Sequence, residues 1–168
     1  MTLINFTVLM CTYSKDDPYL LKKSITSVFK NTIKPNYFIL TVDGPIPKLN
    51  QKIIFRIIKE FPIQLNYLKE NVGLASALNK SLKLVKTKWV ARADSDDINL
   101  KNRFATQLKF VGSNIDVIGS NILEIDNSGG STLLTKKIPL TNEGIRKYIR
   151  HRNPINHMTA FYKTDLIK

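Results

Sequence analysis

The 168-residue chain is long enough for one domain with a sizeable core, and 43% of it is apolar, an ordinary globular share. Its 26 Lys and Arg against 13 Asp and Glu give a formal charge of +13, which suits nucleic acid, an anionic membrane surface or a phosphate-bearing substrate, or marks only a solvated basic surface. No apolar run approaches the roughly 18 residues of a membrane-spanning helix, no signal-peptide pattern opens the chain, and a lone Cys11 forms no internal disulfide, which fits a reducing compartment.

Phe6 to Cys11 reads as a buried strand. Thr12-Tyr13-Ser14 and a polar loop follow, and Pro18 suits the first turn of a helix. That helix carries Leu21, Ile25, Val28 and Phe29 at helical spacing to about Asn31 and ends before Pro35. Asn36 to Val42 predicts a second strand, stopped by Asp43-Gly44-Pro45. Ile53, Ile54, Ile57, Ile58 and Phe61 predict a second helix, closed by Pro62, and Ile63 to Leu68 a third strand. After the turn Asn71-Val72-Gly73, a third helix sets Leu74, Leu78, Leu82 and Val85 on one face. Trp89 to Ala93 predicts a strand buried on both faces. Leu100 to Val111 follows as a fourth helix with Phe104, Leu108 and Val111 inward, and Asp116 to Gly119 as a short strand. Asn121 to Asp126 and Ser131 to Lys137 predict a hairpin around Asn127-Ser128-Gly129-Gly130. Thr141 starts a helix with Ile145 and Ile149 on its apolar face, and Met158 to Tyr162 closes the chain as a last strand.

Strands alternating with helices predict an α/β fold, a mostly parallel sheet covered on both faces. The residues just past the strands, Thr12-Tyr13, Asp43-Gly44 and Asp94 to Asp97, then share one rim, where open α/β sheets bind ligands. Asp94, Asp96 and Asp97 place three carboxylates in four positions. Such a cluster repels itself and calls for a cation, and Mg²⁺ is typically held by one or two carboxylates plus substrate phosphates. Asp97 also suits a helix N-terminus, but one cap does not need three carboxylates. Asp43 equally suits plain turn chemistry with Gly44 and Pro45. No dinucleotide glycine fingerprint, Walker lysine or nucleophile elbow is present. His151 and His157 lack zinc-helix spacing.

Seven ordered segments carry a family resemblance. They are Val8 to Tyr13, Ser27 to Thr32, Val42 to Pro45, Asn71 to Asn79, Ala91 to Asp97, Arg103-Phe104 with Gln107, and Arg152 to Met158. The chain resembles the family 2 glycosyltransferases of GT-A fold, most closely the bacterial branch that builds O-antigens, capsules and exopolysaccharides of the amylovoran type. The resemblance implies an inverting transferase with a nucleotide-sugar donor, by default a UDP-hexose. It implies a saccharide or polyprenyl-pyrophosphate-linked acceptor, a cytoplasmic location with peripheral contact at the inner face of the membrane, and no nucleic acid. Thr12 and Tyr13 are then expected to line the base pocket, and Asp43 to approach the base or ribose. Asn71, Gly73 and Asn79 would shape the adjoining wall. Asp94 would touch the ribose or metal-bound water, Asp96 would bind Mg²⁺ or Mn²⁺, and Arg92 would support the site from the adjoining strand. The chain departs from the family pattern at Cys11, often Pro, at Val42, often Asp, and at Leu78, often Arg. The family's general base is expected beyond Lys168, which makes residues 1–168 the donor-binding part of a longer GT-A domain. A catalytically silent nucleotide-sugar module and a basic nucleic-acid binding domain are the alternatives.

Overall fold

The computed structural model describes residues 4–112, 114–126 and 130–167. Strands and helices alternate through β1 (Phe6–Thr12), α1 (Pro18–Phe29), β2 (Tyr37–Val42), α2 (Lys48–Glu60), β3 (Gln64–Tyr67), α3 (Leu74–Leu82) and β4 (Trp89–Arg92). The chain continues with α4 (Arg103–Leu108), β5 (Val117–Ile118), β6 (Ile122–Ile125), β7 (Ser131–Lys136), α5 (Asn142–Tyr148) and β8 (Phe161–Lys163). The main sheet has the order β3-β2-β1-β4-β8-β5, and β6 and β7 form a separate ribbon. β1 pairs in parallel with β2 and β4, and β2 with β3, whereas β8 runs antiparallel between β4 and β5. This is the α/β architecture expected, with a mostly parallel sheet.

Side chains alternate across a strand, and the two cores follow that alternation. Phe6, Val8 and Met10 of β1, Phe38, Leu40 and Val42 of β2, and Trp89 and Ala91 of β4 share one face. Leu21, Ile25 and Val28 of α1, Ile53, Ile54 and Ile57 of α2, and Phe104 of α4 cover it. Leu9, Cys11, Ile39 and Val90 point to the other face, against Ala77, Leu78 and Leu82 of α3. A strand covered on both sides has no polar face to show, so β1, β2 and β4 read as continuous apolar runs.

α1 starts where Pro18 predicts, because Asp17 Oδ1 accepts the Tyr19 and Leu20 amides at 2.7 and 3.2 Å. Other boundaries differ. α4 is shorter than Leu100 to Val111: Arg103 N bonds Leu100 O in a preceding turn, and Val111 N reaches only to Leu108 O. The expected strand at Met158 starts late, at Phe161, because His157–Thr159 forms a 3-10 turn. There Thr159 Oγ1 accepts the Ser120 amide at 3.0 Å and Asn156 Nδ2 donates to Ser120 O at 2.9 Å. These side-chain bonds hold the backbone out of the ladder. Two apolar positions also differ: Leu74 and Ile149 are exposed rather than packed inward. The ribbon β6–β7 forms where expected, while residues 127–129 of its turn lie outside those described.

Candidate functional site

The ends of β1, β2 and β4 open onto a cleft of about 370 Å³. It is lined by Cys11, Thr12, Tyr13, Asp16, Asp43, Asn71, Gly73, Leu74, Asp94, Ser95 and Asp96. Seven of the nine positions expected from the sequence are therefore in this lining: Thr12, Tyr13, Asp43, Asn71, Gly73, Asp94 and Asp96. Asn79 is exposed on α3 and is not among the lining residues, and Arg92 lies behind the wall, buried.

The wall between β2 and α3 is held by Asp43. Its carboxylate is buried and accepts the Val72 amide on Oδ1 at 2.9 Å and the Gly73 amide on Oδ2 at 3.0 Å. These are free amides at the start of α3, where a negative charge is favourable. Asn71 Nδ2 returns a bond to Asp43 O at 3.2 Å. The approach is close enough to demand glycine: a Cβ on Gly44 (φ 82°) would stand 2.5 Å from Asn71 N. Gly73 shares that φ but faces open space. The Asp43 carboxylate is thus spent on a neighbouring turn, on Val72 and Gly73, rather than on its own turn with Gly44 and Pro45.

The acidic loop is fastened from three sides. From α1, Ser24 Oγ donates to Asp94 O at 2.7 Å, and Ser27 Oγ accepts the Asn99 amide at 2.8 Å. From the β1–α1 loop, Asp16 Oδ2 accepts from Ser95 Oγ at 2.7 Å. From within the sheet, Arg92 Nη2 donates to Asp94 Oδ1 at 2.6 Å, and Nη1 to Leu9 O at 2.6 Å. Behind it, Arg103 Nη2 donates to Arg92 O at 2.7 Å and Nη1 bonds Asn99 Oδ1. Sequence reading passed over Asp16, Ser24, Ser27 and Ser95. One signal for Asp16 was available: Asp17 alone caps α1, which leaves the neighbouring carboxylate unexplained.

The lining holds four carboxylates, Asp16, Asp43, Asp94 and Asp96, and no basic side chain. The field shows in the neighbours. Burial pushes the Asp97 carboxyl up to about 6, with repulsion from Asp94 and Asp96 adding and Arg103 opposing. Burial, and after it the charge of Asp43, pushes the Cys11 thiol up to about 12. Thr12 Oγ1 is buried with no hydrogen-bond partner among the described residues, a polar group left unsatisfied in the lining. No group of three or more His, Cys, Asp or Glu placed to hold a metal occurs among the described residues. Two carboxylates at a cleft fit Mg²⁺ or Mn²⁺ all the same, since such ions complete their shell with substrate phosphate and water.

Comparison with known proteins places this architecture. Residues 7–167 match the profile of glycosyl transferase family 2, and the chain belongs to that family. It is 32% identical over 164 residues to the amylovoran biosynthesis glycosyltransferase AmsE of Erwinia amylovora, covering 96% of this chain and 61% of that protein. It is 37% identical over 166 residues to an Escherichia coli UDP-Gal:alpha-D-GlcNAc-diphosphoundecaprenol beta-1,3-galactosyltransferase, covering 97% of this chain and 60% of that one. The chain thus spans about three fifths of the length of these relatives. Among solved structures, it matches the mannosyltransferase PcManGT of Pyrobaculum calidifontis, a complex with GDP-Man and Mn²⁺. The TM-score is 0.71 at 14% identity, over 99% of this chain and 46% of that one. S. aureus TarS 1-349 in complex with UDP-GlcNAc matches at 0.67 and 19% identity, over 98% of this chain and 46% of that one. At these identities the likeness shows the GT-A glycosyltransferase fold.

Proposed function

We propose that this chain binds a UDP-hexose and serves a transferase that passes the sugar, with inversion, to a saccharide or polyprenyl-pyrophosphate-linked acceptor in bacterial surface polysaccharide synthesis. The observation that carries the proposal is the cleft itself, with four carboxylates from three loops and no basic side chain in its lining. Two like charges about 4 Å apart repel by about 4 kcal/mol at an effective dielectric constant of about 20. A diphosphate enters such a site only with a cation between, and this sets a metal-dependent nucleotide apart from a bare phosphate or a nucleic-acid strand. The printed names of relatives point the same way: one acts from UDP-Gal on a diphosphoundecaprenol-linked sugar, and one structural neighbour holds GDP-Man with Mn²⁺.

In this proposal Tyr13, which is 39% exposed, offers its ring to the base beside Thr12. Asp43 acts on the nucleotide by holding Val72 and Gly73, so that Asn71 and Gly73 form a fixed wall. Asp94 and exposed Asp96 face the diphosphate and ribose. A divalent cation held there supplies charge neutralisation to the departing nucleoside diphosphate. The exposed basic residues Arg146, Arg150 and Arg152 suit a lipid-linked pyrophosphate or an anionic leaflet. No helix among the described residues is long and apolar enough to cross a membrane.

Calorimetric titration of UDP, with and without Mn²⁺, tests this. The expected result is binding that needs Mn²⁺ and is lost in Asp96→Ala, beyond the roughly ten- to hundredfold that a merely supporting residue costs. GDP and dTDP, titrated the same way, identify the base. Failure of all three nucleotides to bind with Mn²⁺ overturns the proposal, as does binding that ignores both the metal and the substitution.

A further inference from the structure

Arg92 is the largest fully buried side chain among the described residues and carries a charge into the sheet. A buried cation must be paired, and among the described residues its one ion-pair partner is Asp94. The guanidinium is not free to turn: Nη1 is fixed to the carbonyls of Leu9 and Ala93 at 2.6 and 3.2 Å, and Nη2 to Asp94 Oδ1 at 2.6 Å. Its own carbonyl is taken by Arg103 at 2.7 Å, and Gln107 of the same helix donates to Thr159 O at 2.7 Å. The planar fork therefore spans β1 and β4 and ends on one oxygen of a carboxylate that is itself 25% exposed and lines the cleft. Asp94 Oδ1 is committed inward, and the second oxygen remains for the cleft.

We infer that Arg92 is a positioning residue that acts through Asp94, fixing which carboxylate oxygen faces a metal–diphosphate and offsetting half of the charge of the Asp94/Asp96 pair. This rests on the nucleotide-sugar proposal above and deepens it. The arrangement divides the two aspartates: Asp96 is the exposed carboxylate, and Asp94 is paired with a buried arginine.

A double-mutant cycle on this chain tests it, with Arg92→Met, Asp94→Asn and the double variant. Each is titrated with UDP in the presence and absence of Mn²⁺ below its own Tm. The double variant removes both charges together, so it leaves no unpaired buried cation and keeps the cycle readable if Asp94→Asn folds poorly. The readout is the gain in UDP affinity that Mn²⁺ brings, which a purely structural role does not move. Arg92→Met is expected to cut that gain by about ten- to a hundredfold and to cost nothing further in the Asp94→Asn background. Should Arg92→Met keep the full gain, or lose the same factor whether or not Asp94 is intact, the inference is overturned while the site assignment stands. If the wild-type chain binds no nucleoside diphosphate with Mn²⁺, the site assignment fails and the inference with it.

Discussion

Asp94 and Asp96 sit two positions apart, yet their surroundings give them different energetics. Asp94 is paired with a buried arginine, and Asp96 is exposed. Breaking a buried pair by neutralising one partner strands the other charge. Asp94→Asn is therefore expected to destabilise the fold by roughly 3 kcal/mol. Asp96→Asn should stay within about 0.5 kcal/mol of wild type, as surface substitutions do. Urea unfolding of the two variants measures the contrast, and equal losses would mean that the Arg92 pair contributes nothing special. Both carboxylates were legible in the sequence as members of one acidic cluster. Their difference was not, because it depends on the direction in which Arg92 reaches.

At the scale of elements, the site is a set of turns held against one another. The β2–α2 turn and the β3–α3 turn meet so closely that Gly44 has no room for a side chain, whereas Gly73 has the room and only the unusual φ. Gly44→Ala is accordingly expected to cost about 3 kcal/mol or more, strain and overlap combined, and Gly73→Ala about 2 kcal/mol from strain alone. Chemical denaturation distinguishes them, and a similar cost for both would show that the backbone of Asn71 can give way. The helix that follows depends on the same junction, since Asp43 bonds the amides ahead of its first turn. Element boundaries were read best where a local signal set them, as with Asp17 and Pro18 at the start of α1. They were read worst at α4, whose ends run into single turns, and at β8, where a distant partner, Ser120, decides the backbone path.

For the whole molecule, the contrast is between a chain of formal charge +13 and a cleft lined with carboxylates. In the function proposed above, the basic surface raises the local concentration of anionic partners, and the acidic cleft selects those that bring a cation. The same buried field governs the one thiol. Cys11 is moved from its ordinary 9.0 up to about 12, by burial first. The folded chain then keeps a proton that the unfolded chain loses above about pH 9, so this contribution falls as pH rises from there towards 12. Wild type should lose about 1 kcal/mol more than Cys11→Ala between about pH 8 and about pH 10. Parallel denaturation curves at the two pH values check this, and identical losses would place the thiol in contact with water. Below pH 9 the thiol should resist alkylation until the chain unfolds.

The sequence by itself determined the α/β order of elements, the apolar runs of β1, β2 and β4, the helix faces and the acidic loop. Those features are written in local periodicity and in neighbouring residues. The strand ends also located the cleft, since parallel strands bring their following loops to one rim. Tertiary structure alone decided which side chains act on one another there: Asp43 on Val72 and Gly73, Ser95 on Asp16, and Arg92 on Leu9 and Asp94. Of these contacts, those to Val72, Gly73, Asp16 and Leu9 join residues 29 to 83 positions apart. No spacing rule predicts them, because each depends on two strand ends meeting and on a buried polar group taking the partner that the fold leaves beside it.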